Sequence, residues 1–315
     1  MMNIAILGAT SQIAQDLLRQ WALANSDHSL TLYSRRPEHV VEFMKEIDWA
    51  CSYSSCDIID FTHEDKHFDA IINFIGQGKP ISIVENSSEI MKVTELYDNM
   101  VMKYLSLHQN SKYLFLSSGA VYGSVFSEPV TEQSMAQIPI NRLGDNNAYA
   151  IAKLYAEANH RLNKDKKIVD IRVFNVFSRY QSLNTGFFIT DIVSAIKNKS
   201  VLTVSPSHMV RDYLHPEDFF QLIEALLNYE EHINTAVDCF SKMPIDKFEL
   251  LKFCEHKYGL KWSEEKEKDI INATGSKNNY YSKNKLATKF GFEPRYSSLE
   301  SVQLEIDALI GSYNI

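Results

Sequence analysis

The sequence has little of what marks several large classes of protein. Its four cysteines, Cys51, Cys56, Cys239 and Cys254, form no Cys-x-x-Cys pair and have no pair of histidines near them. We therefore expect reduced, buried thiols and no metal site. No apolar run approaches the ~20 residues that span a bilayer, and no basic region precedes the first apolar stretch as in a signal peptide. We expect a cytoplasmic protein without a membrane partner.

Positive charge is scarce as well. The chain has 32 Lys and Arg against 40 Asp and Glu, which gives a net charge of −8. A surface that binds duplex DNA or RNA needs a basic footprint, so no nucleic-acid partner is expected. An anionic small molecule stays compatible with this balance, because a few local arginines decide its binding.

What the sequence does have is an alternation of short apolar runs and helical patterns over its first 175 residues. Strands separated by helices form βαβ units, so the alternation predicts an α/β fold with a doubly wound parallel sheet of the Rossmann-like type. The predicted strands are Asn3–Leu7, Leu30–Tyr33, Asp69–Ile75, Tyr113–Leu116 and Val169–Phe174, and the predicted helices are Ile13–Leu23, Glu89–His108 and Ala148–Leu162.

The turn after the first strand reads Gly8-Ala9-Thr10-Ser11-Gln12-Ile13-Ala14. Gly8 suits the tight turn out of the strand, and alanine is accepted at position 14, where the helix packs on the sheet. Ser11 departs from the usual glycine, but its hydroxyl can donate to a phosphate oxygen beside the helix amides. Two interpretations stay open here, a pyrophosphate-binding turn and an ordinary strand-to-helix connection.

The end of the second strand favours the phosphate interpretation. Sites that prefer NAD place an acidic residue there for the ribose 2′-hydroxyl, whereas this chain has Ser34-Arg35-Arg36. A guanidinium can hold a 2′-phosphate bidentately, and Ser34 can hydrogen-bond it. The turn therefore points to NADP(H), with NAD(H) as the alternative. A solvated basic turn before Pro37, without any ligand, would have the same sequence.

A tyrosine and a lysine four residues apart mark a second candidate site. Tyr149 and Lys153 lie in a helical pattern, so their side chains share one face. A neighbouring cation favours the phenolate, and Tyr149 could then exchange a proton with a carbinol or carbonyl group. Tyr281 and Lys285 have the same spacing in a polar segment, and we interpret that pair as a surface coincidence.

A serine at a strand end adds context to this pair. Residues 113–123 read Tyr-Leu-Phe-Leu-Ser-Ser-Gly-Ala-Val-Tyr-Gly, a strand that runs into two serines and a glycine-punctuated loop. Ser118 would lie at the carboxyl end of the strand, where open sheets bind ligands, and could hydrogen-bond a substrate oxygen beside Tyr149. A strand-end cap would also explain paired serines.

Together these segments resemble the extended short-chain dehydrogenase/reductase family, the group of NAD(P)-dependent sugar-nucleotide epimerases, dehydratases and reductases. The similarity runs along nearly the whole chain. Its markers are Gly8–Ala14, the helical segment that begins at Asn99, Ser117–Gly123, Tyr149–Lys153 with Glu157, Arg172–Phe177, Arg211–Asp218, and a tail with Gly291, Pro294 and Ser298–Glu300.

The resemblance implies a role for each matching residue. Ser118, Tyr149 and Lys153 would be catalytic: the serine steadies the substrate oxygen, the tyrosine is the acid/base and the lysine holds the nicotinamide ribose. The same family roles assign substrate binding to Ser118, Tyr149, Asn175 and Arg211. With the two turns, the expected cofactor residues are Gly8, Thr10, Ser11, Gln12, Ile13, Ser34, Arg35, Arg36, Phe74, Ile75, Gly76, Asn99, Tyr149, Lys153, Phe174 and Val176.

A domain plan follows from the pattern and the resemblance. Residues 1–175 would form the dinucleotide-binding domain, with residues 212–240 completing its sheet. Residues 176–211 and 241–315 would form a smaller C-terminal substrate-binding lobe over the carboxyl ends of the strands. The resemblance also implies a homodimer that pairs the helices near Asn99 and Tyr149.

Three reactions share this scaffold. Dehydratases of the family place an Asp-Glu pair directly after the serine, whereas this chain has Gly119 and Ala120, which transfer no proton. The Ser34-Arg35-Arg36 turn favours NADPH-dependent reduction of a keto group on a nucleotide-linked sugar of the 4-keto-6-deoxy type, with Tyr149 as proton donor. The alternative is an NAD(P)-dependent nucleotide-sugar epimerase, and the second alternative is a non-catalytic dinucleotide-sensing protein.

Overall fold

The computed structural model describes residues 1–76, 87–124, 126–265 and 277–311. Strands and helices alternate through the first two thirds of these residues. In chain order the strands are β1 (Asn3–Leu7), β2 (Ser29–Ser34), β3 (Tyr53–Asp57), β4 (Ala70–Asn73), β5 (Lys112–Ser118), β6 (Lys167–Val173), β7 (Asn175–Val176), β8 (Val201–Val204), β9 (Val210–Arg211), β10 (Tyr213–Leu214), β11 (Asn234–Asp238), β12 (Ile245–Asp246), β13 (Lys261–Glu264) and β14 (Asn279–Tyr280). The α-helices are α1 (Gln12–Leu23), α2 (Pro37–Glu46), α3 (Ser87–Leu107), α4 (Asp145–Leu162), α5 (Phe188–Asn198), α6 (Pro216–Asn228), α7 (Lys247–Tyr258) and α8 (Ser298–Gly311).

Seven of the strands form one parallel sheet in the order β11-β6-β5-β4-β1-β2-β3. The predicted α/β fold with a doubly wound parallel sheet is confirmed. The order reverses between β1 and β4, so the connections that leave these two strands diverge. In such sheets the ligand binds in the crevice outside the carboxyl ends of the strands at this reversal.

The residue pattern of β1 shows why helices cover both faces of the sheet. Successive side chains of a strand point to opposite faces. Ile4 and Ile6 join the hydrophobic cluster that holds α1, α2 and α6, whereas Ala5 and Leu7 join the cluster that holds α3 and α4. All four side chains are fully buried, which explains the uninterrupted apolar run in the sequence.

The C-terminal part contributes three smaller sheets. In these, β10 pairs with β7, β13 pairs with β8, and β9 lies between β12 and β14. A third hydrophobic cluster gathers α5, α7 and α8 around Phe177, Ile192, Leu251 and Val302. The pairing of β11 with β6 agrees with residues 212–240 completing the main sheet, while the division into a domain and a lobe stays a prediction.

Two elements of the first half were not predicted. The strand β3 is an edge strand whose residues Tyr53-Ser-Ser-Cys-Asp57 are half-buried or exposed, so it has neither the apolar run nor the β-branched residues that mark a strand. The helix α2 begins with Pro37 at its first position, where proline is favoured. Cys51 and Cys56 are only half-buried, so the expectation of burial holds for Cys239 and Cys254 alone; all four are free thiols.

Two further predictions concern the surface. Among the described helices none is long and apolar enough to cross a membrane. The homodimer stays a prediction. The two helices expected to pair, α3 and α4, do carry exposed apolar side chains, namely Met91, Leu96, Tyr155 and Leu162.

A buried histidine joins α3, α4 and β6. Nε2 of His160 lies 2.8 Å from Asp98 Oδ1, and Nδ1 lies 2.6 Å from Asp170 Oδ1. Burial lowers the pKa of His160, but the two carboxylates outweigh burial and raise that pKa to about 9. A charged imidazole between two carboxylates therefore holds these three elements together.

This histidine should make stability depend on pH. The pKa of about 9 in the folded protein exceeds the ~6.5 of an unfolded chain, so proton binding stabilises the fold fully below ~6.5 and no longer above about 9. The shift corresponds to about 3 kcal/mol of unfolding free energy. Urea unfolding at about pH 6 and about pH 10 should show a larger loss of stability in wild type than in His160→Gln. His256→Gln, an exposed position on α7, is the control, and an equal loss in His160→Gln and wild type would contradict the assignment.

Candidate active site

The predicted cofactor turn forms at the crevice between β1 and β4. Gly8 follows β1 with a φ of 80°, a left-handed conformation that favours glycine. A Cβ at Gly8 would lie 3.1 Å from backbone atoms of Phe74 and Ile75, which follow β4. The turn at Gly8 and the loop after β4, two of the predicted cofactor segments, therefore lie so close that the space between them fits a glycine.

The start of α1 fits a pyrophosphate. The Oγ atom of Ser11 accepts a hydrogen bond from the Ala14 amide at 3.3 Å, which makes Ser11 the N-cap of the helix. The cap uses a lone pair of Oγ and not its proton. The first-turn amides of Gln12 and Ile13 have no partner within the helix, as at the start of any helix, and such an N-terminus can bind phosphate. Thr10 is half-buried beside them.

The turn after β2 carries mixed charge. Ser34 is buried and its Oγ accepts a hydrogen bond from the Arg36 amide at 3.1 Å, whereas the side chains of Arg35 and Arg36 are exposed. Asp57 at the end of β3 pairs in register with Ser34 and was not among the predicted residues. Two guanidinium groups and one carboxylate thus lie at the ends of β2 and β3, where the sequence predicts the ribose of a dinucleotide.

Ser118 and Tyr149 come together at the carboxyl end of β5. The Oγ atom of Ser118 accepts a hydrogen bond from the Ala120 amide at 3.2 Å. Burial raises the pKa of Tyr149, and hydrogen bonding from Ser118 lowers it. The hydroxyl of Ser118 therefore faces the phenol on α4, while the roles predicted for these two residues stay predictions.

Lys153 lies one helical turn beyond Tyr149 and is buried. Its Nζ donates to the Leu116 carbonyl at 2.7 Å and lies 4.3 Å from the centre of the Phe115 ring. Burial lowers the pKa of Lys153 to about 8, and Asp98, Asp170 and Glu157 oppose that effect. A Cβ on Gly76 would lie 3.5 Å from Nζ, so the ammonium borders the cofactor crevice. Burial and the hydrogen bond from Ser118 shift the pKa of Tyr149. The ammonium of Lys153 is bound instead to the Leu116 carbonyl.

Sequence reasoning missed Tyr280. This residue lies on β14, is 4% exposed, and its hydroxyl lies 3.4 Å from Ser118 Oγ. Its ring packs against Phe126 and Phe174, with ring centres 4.9 and 5.1 Å away. No sequence signal marked it, because β14 has only two residues and follows a polar segment.

The predicted substrate residues lie beside Tyr280. Arg211 is buried on β9, and its Nη1 donates to the carbonyls of Val210 and Lys277 at 2.9 and 2.7 Å. Nδ2 of Asn175 donates to the Asp212 carbonyl at 3.2 Å. Burial, reinforced by Arg211, lowers the pKa of Lys277 to about 8. Two cations therefore lie next to the Tyr280 ring, which suits an anionic ligand.

A buried polar network lies directly behind Ser118. Ser117 donates to Glu157 at 2.5 Å, and Arg172 donates to the same carboxylate at 2.6 Å. The other end of Arg172 donates to the Tyr122 hydroxyl at 2.7 Å, and Tyr122 donates to Asp238 at 2.9 Å. These bonds fix the end of β5 against β6, β11 and α4.

A second hydrogen-bond chain holds the loop after β4. The Ile75 amide donates to Asn73 Oδ1 at 2.9 Å, and Asn73 Nδ2 donates to the Tyr113 hydroxyl at 2.9 Å. Tyr113 donates to Asp98 at 2.9 Å, which is the carboxylate beside His160. The cofactor loop is thus tied to the charged histidine in the core.

The remaining predicted residues differ in placement. Phe174 is buried between the rings of Tyr122 and Tyr280, and Val176 is half-buried on β7. Asn99 is exposed on α3, whereas its neighbour Asp98 is buried. Across the described ranges, no three His, Cys, Asp or Glu side chains gather as a metal site would require.

The residues after Ser118 limit the chemistry. A Cβ on Gly119 would lie 2.5 Å from the Phe174 ring, so this position has no room for an acidic side chain. Ala120, the next residue, is buried and carries no proton. The site therefore has a hydroxyl and a phenol for proton transfer, and it has no second acid at the place where an elimination would need one.

Comparison with known proteins decides the family. Residues 4–237 match a family model described as "NAD dependent epimerase/dehydratase family". The chain belongs to this family. The resemblance to the extended short-chain dehydrogenase/reductase family is confirmed. The buried Tyr149, Ser118 and Lys153 form the candidate active site of this family member.

One sequence relative and two solved structures to which this chain is similar are named as 4-epimerases. UDP-glucose 4-epimerase 2 of Oryza sativa subsp. japonica is 32% identical over 177 residues, which are 48% of this chain and 40% of that protein. The match therefore spans two fifths of that relative's length. A UDP-glucuronic acid 4-epimerase from Bacillus cereus, in complex with UDP-glucuronic acid and NAD, has a TM-score of 0.80 at 16% identity over 99% of this chain and 100% of that chain. A UDP-glucose 4-epimerase from Thermotoga maritima with UDP-glucose has a TM-score of 0.79 at 15% identity over 99% and 100%. At these identities the two structures show the shared fold.

Substituting Gly119 should test the close packing behind Ser118. Gly119→Ala places a methyl group into the Phe174 ring, and overpacking of this kind costs about 1–3 kcal/mol. Thermal unfolding followed by circular dichroism should show the loss. Gly311→Ala is the control, because a Cβ there meets nothing within 4 Å. Equal melting temperatures of Gly119→Ala and Gly311→Ala would contradict the packing described.

Proposed function

We propose that this protein is a 4-epimerase of UDP-sugars that works with a bound nicotinamide dinucleotide. One observation carries the proposal: the reaction centre pairs a single acid/base phenol, Tyr149, with the hydroxyl of Ser118, and glycine and alanine replace the acids that a dehydration would need. Epimerisation needs one group that takes a proton from a carbinol and gives it back. The names of the 4-epimerases among the relatives support this reading.

Each side chain then has a defined task. Tyr149 takes the proton of the sugar 4-hydroxyl as the carbinol is oxidised and returns it when the keto group is reduced. Ser118 donates a hydrogen bond to the same sugar oxygen. The ammonium of Lys153 lies next to the crevice, where it would hold the nicotinamide ribose. A dinucleotide held at Gly8 and the start of α1 would supply a nicotinamide as acceptor and donor of the C4 hydride. The balance is neutral, since one proton and one hydride leave and return.

The substrate class is supported by charge on the lobe side. Arg211 and Lys277 bring two cations next to Tyr280, and a nucleotide diphosphate supplies two negative phosphates. The reduction of a keto sugar by NADPH, which the basic turn after β2 favoured, ranks second. It uses the same side chains, but no keto reductase supports it among the relatives described above.

The activity is tested with purified protein and a panel of UDP-sugars. We expect the 4-epimer of at least one of them, measured by NMR or chromatography, while the absorbance of reduced nicotinamide stays constant. Steady consumption of added NADPH with a keto sugar nucleotide would instead establish the reductase. Binding of a dinucleotide without turnover of any sugar would favour the sensing protein.

Removing the phenol of Tyr149 should separate catalysis from binding. Tyr149→Phe should lower kcat by roughly 10²–10⁴-fold, because no other group at the sugar oxygen takes the proton. Dinucleotide affinity, measured by fluorescence, should stay at the wild-type value. Tyr155→Phe is the matched control, since Tyr155 is exposed on the same helix. Wild-type turnover in Tyr149→Phe would remove this residue from the mechanism.

We propose that the protein binds NAD(H) as well as NADP(H). Arg35 would supply the affinity for the 2′-phosphate of NADP(H). The exposed guanidinium groups can hold a 2′-phosphate, and Asp57 of the neighbouring strand opposes them. Arg35→Asp should weaken NADP+ relative to NAD+ by roughly tenfold, the effect of about 1.4 kcal/mol, in a titration calorimeter. The control is Arg142→Asp, another exposed arginine. An unchanged ratio of the two affinities would show that Arg35 is only solvated.

A further inference from the structure

We infer that Tyr280 is a positioning residue that points the hydroxyl proton of Ser118 toward Tyr149 and the sugar oxygen. The inference rests on hydrogen-bond counting at Ser118 Oγ and on the packing of the Tyr280 ring. It deepens the proposed function, because it adds a residue from the C-terminal part to a reaction centre built by β5 and α4.

The hydroxyl of Ser118 has three hydrogen-bonding positions, and three groups lie next to it. A hydroxyl has one proton and two lone pairs. The Ala120 amide uses one lone pair, so one proton and one lone pair remain for two phenols, Tyr149 and Tyr280. One phenol must donate to Ser118 and the other must accept from it.

The role of Tyr149 as the base decides which phenol donates. A base that takes a proton must first be a phenolate, and a phenolate has no proton to give, so Tyr149 accepts from Ser118. Tyr280 is wedged between Phe126 and Phe174. Within the described residues, Ser118 Oγ is the partner of the Tyr280 hydroxyl, and a buried hydroxyl needs an acceptor. Tyr280 therefore donates to Ser118, and Ser118 donates onward to Tyr149.

The distance of 3.4 Å between Tyr280 and Ser118 is long for an O–H···O bond. Catalytic hydrogen bonds are often long before substrate binds and shorten in the complex. A sugar oxygen between Ser118 and Tyr149 would take the Ser118 proton in place of the phenol. The bond from Tyr280 would then still fix the direction of that proton.

The charged groups around this chain of hydroxyls stay the same when Tyr280 loses its hydroxyl. Lys153 lies on the helix of Tyr149, and Arg211 and Lys277 face Tyr280 from the lobe, 5.8 and 4.3 Å from its ring centre. Phe174 separates Tyr280 from the ring of Tyr122. The remaining ionisable groups packed near these elements are Asp98, Glu157, Asp170, Arg172 and Asp238.

The test measures the pKa of Tyr149 directly. Protein labelled with ¹³C at tyrosine Cζ is titrated by NMR, and Tyr149→Phe assigns the signal. Tyr280→Phe keeps the ring and its packing but removes the donor, so the pKa of Tyr149 should rise by roughly half to one unit. Tyr281→Phe, the neighbouring tyrosine whose hydroxyl does not contact Ser118, should leave that pKa unchanged.

A double substitution shows whether the effect passes through Ser118. In a Ser118→Ala background, Tyr280→Phe should have no further effect on the pKa of Tyr149, since the connecting hydroxyl is gone. An unchanged pKa in Tyr280→Phe, or the same rise in both backgrounds, would overturn the inference. A lower pKa would also overturn it, because it would mean that Tyr280 accepts from Ser118 and competes with Tyr149.

Kinetics supply a second readout that rests on the proposed function. At neutral pH, kcat of Tyr280→Phe should fall roughly three- to tenfold with KM unchanged, and should recover at alkaline pH. A pH-independent loss would indicate a structural role and contradict the inference. If no UDP-sugar is turned over, the proposed function fails, while the NMR titration still decides the role of Tyr280.

Discussion

The parallel direction of the central strands is the constraint on which the proposed reaction centre depends. It brings the carboxyl ends of β1, β4 and β5 to one edge of the sheet, and the reversal of strand order between β1 and β4 opens a crevice there. A Cβ on Gly8 would lie 3.1 Å from backbone atoms of Phe74 and Ile75, so a larger residue there would press on the loop after β4. The helix N-terminus, the serine and the phenol all follow from this one edge.

Buried charge holds the edge in place. Arg172 lies between Glu157 and Asp238, and His160 lies between Asp98 and Asp170. Burying such groups is costly, and breaking one buried pair costs about 3–5 kcal/mol in proteins generally. These networks instead fix positions: the first holds Ser117 next to Ser118, and the second reaches the loop after β4 through Tyr113 and Asn73. Ser282 donates to Asp238 at 2.6 Å, which ties the segment after Tyr280 to the same network.

The sequence predicted the features that depend on a periodic pattern or on residues close together in the chain. Apolar runs predicted β1, β2, β4, β5 and β6, and the spacing of Tyr149 and Lys153 placed both on α4. Local pattern could not predict β3, whose serines and cysteine lie at an edge, or Tyr280, whose partner Ser118 is 162 residues away. A contact between distant segments leaves no periodicity. For the same reason the exposure of Asn99 beside the buried Asp98 needed coordinates.

In the proposed reaction one phenol takes up and returns a proton while the hydride of the sugar leaves and returns within a single site. This reaction is tested by incubating the protein with UDP-sugars that carry deuterium at C4 and analysing the 4-epimer by mass spectrometry. We expect the product to keep its deuterium at C4. Loss of the label to solvent, or its transfer to dinucleotide added in excess, would contradict it.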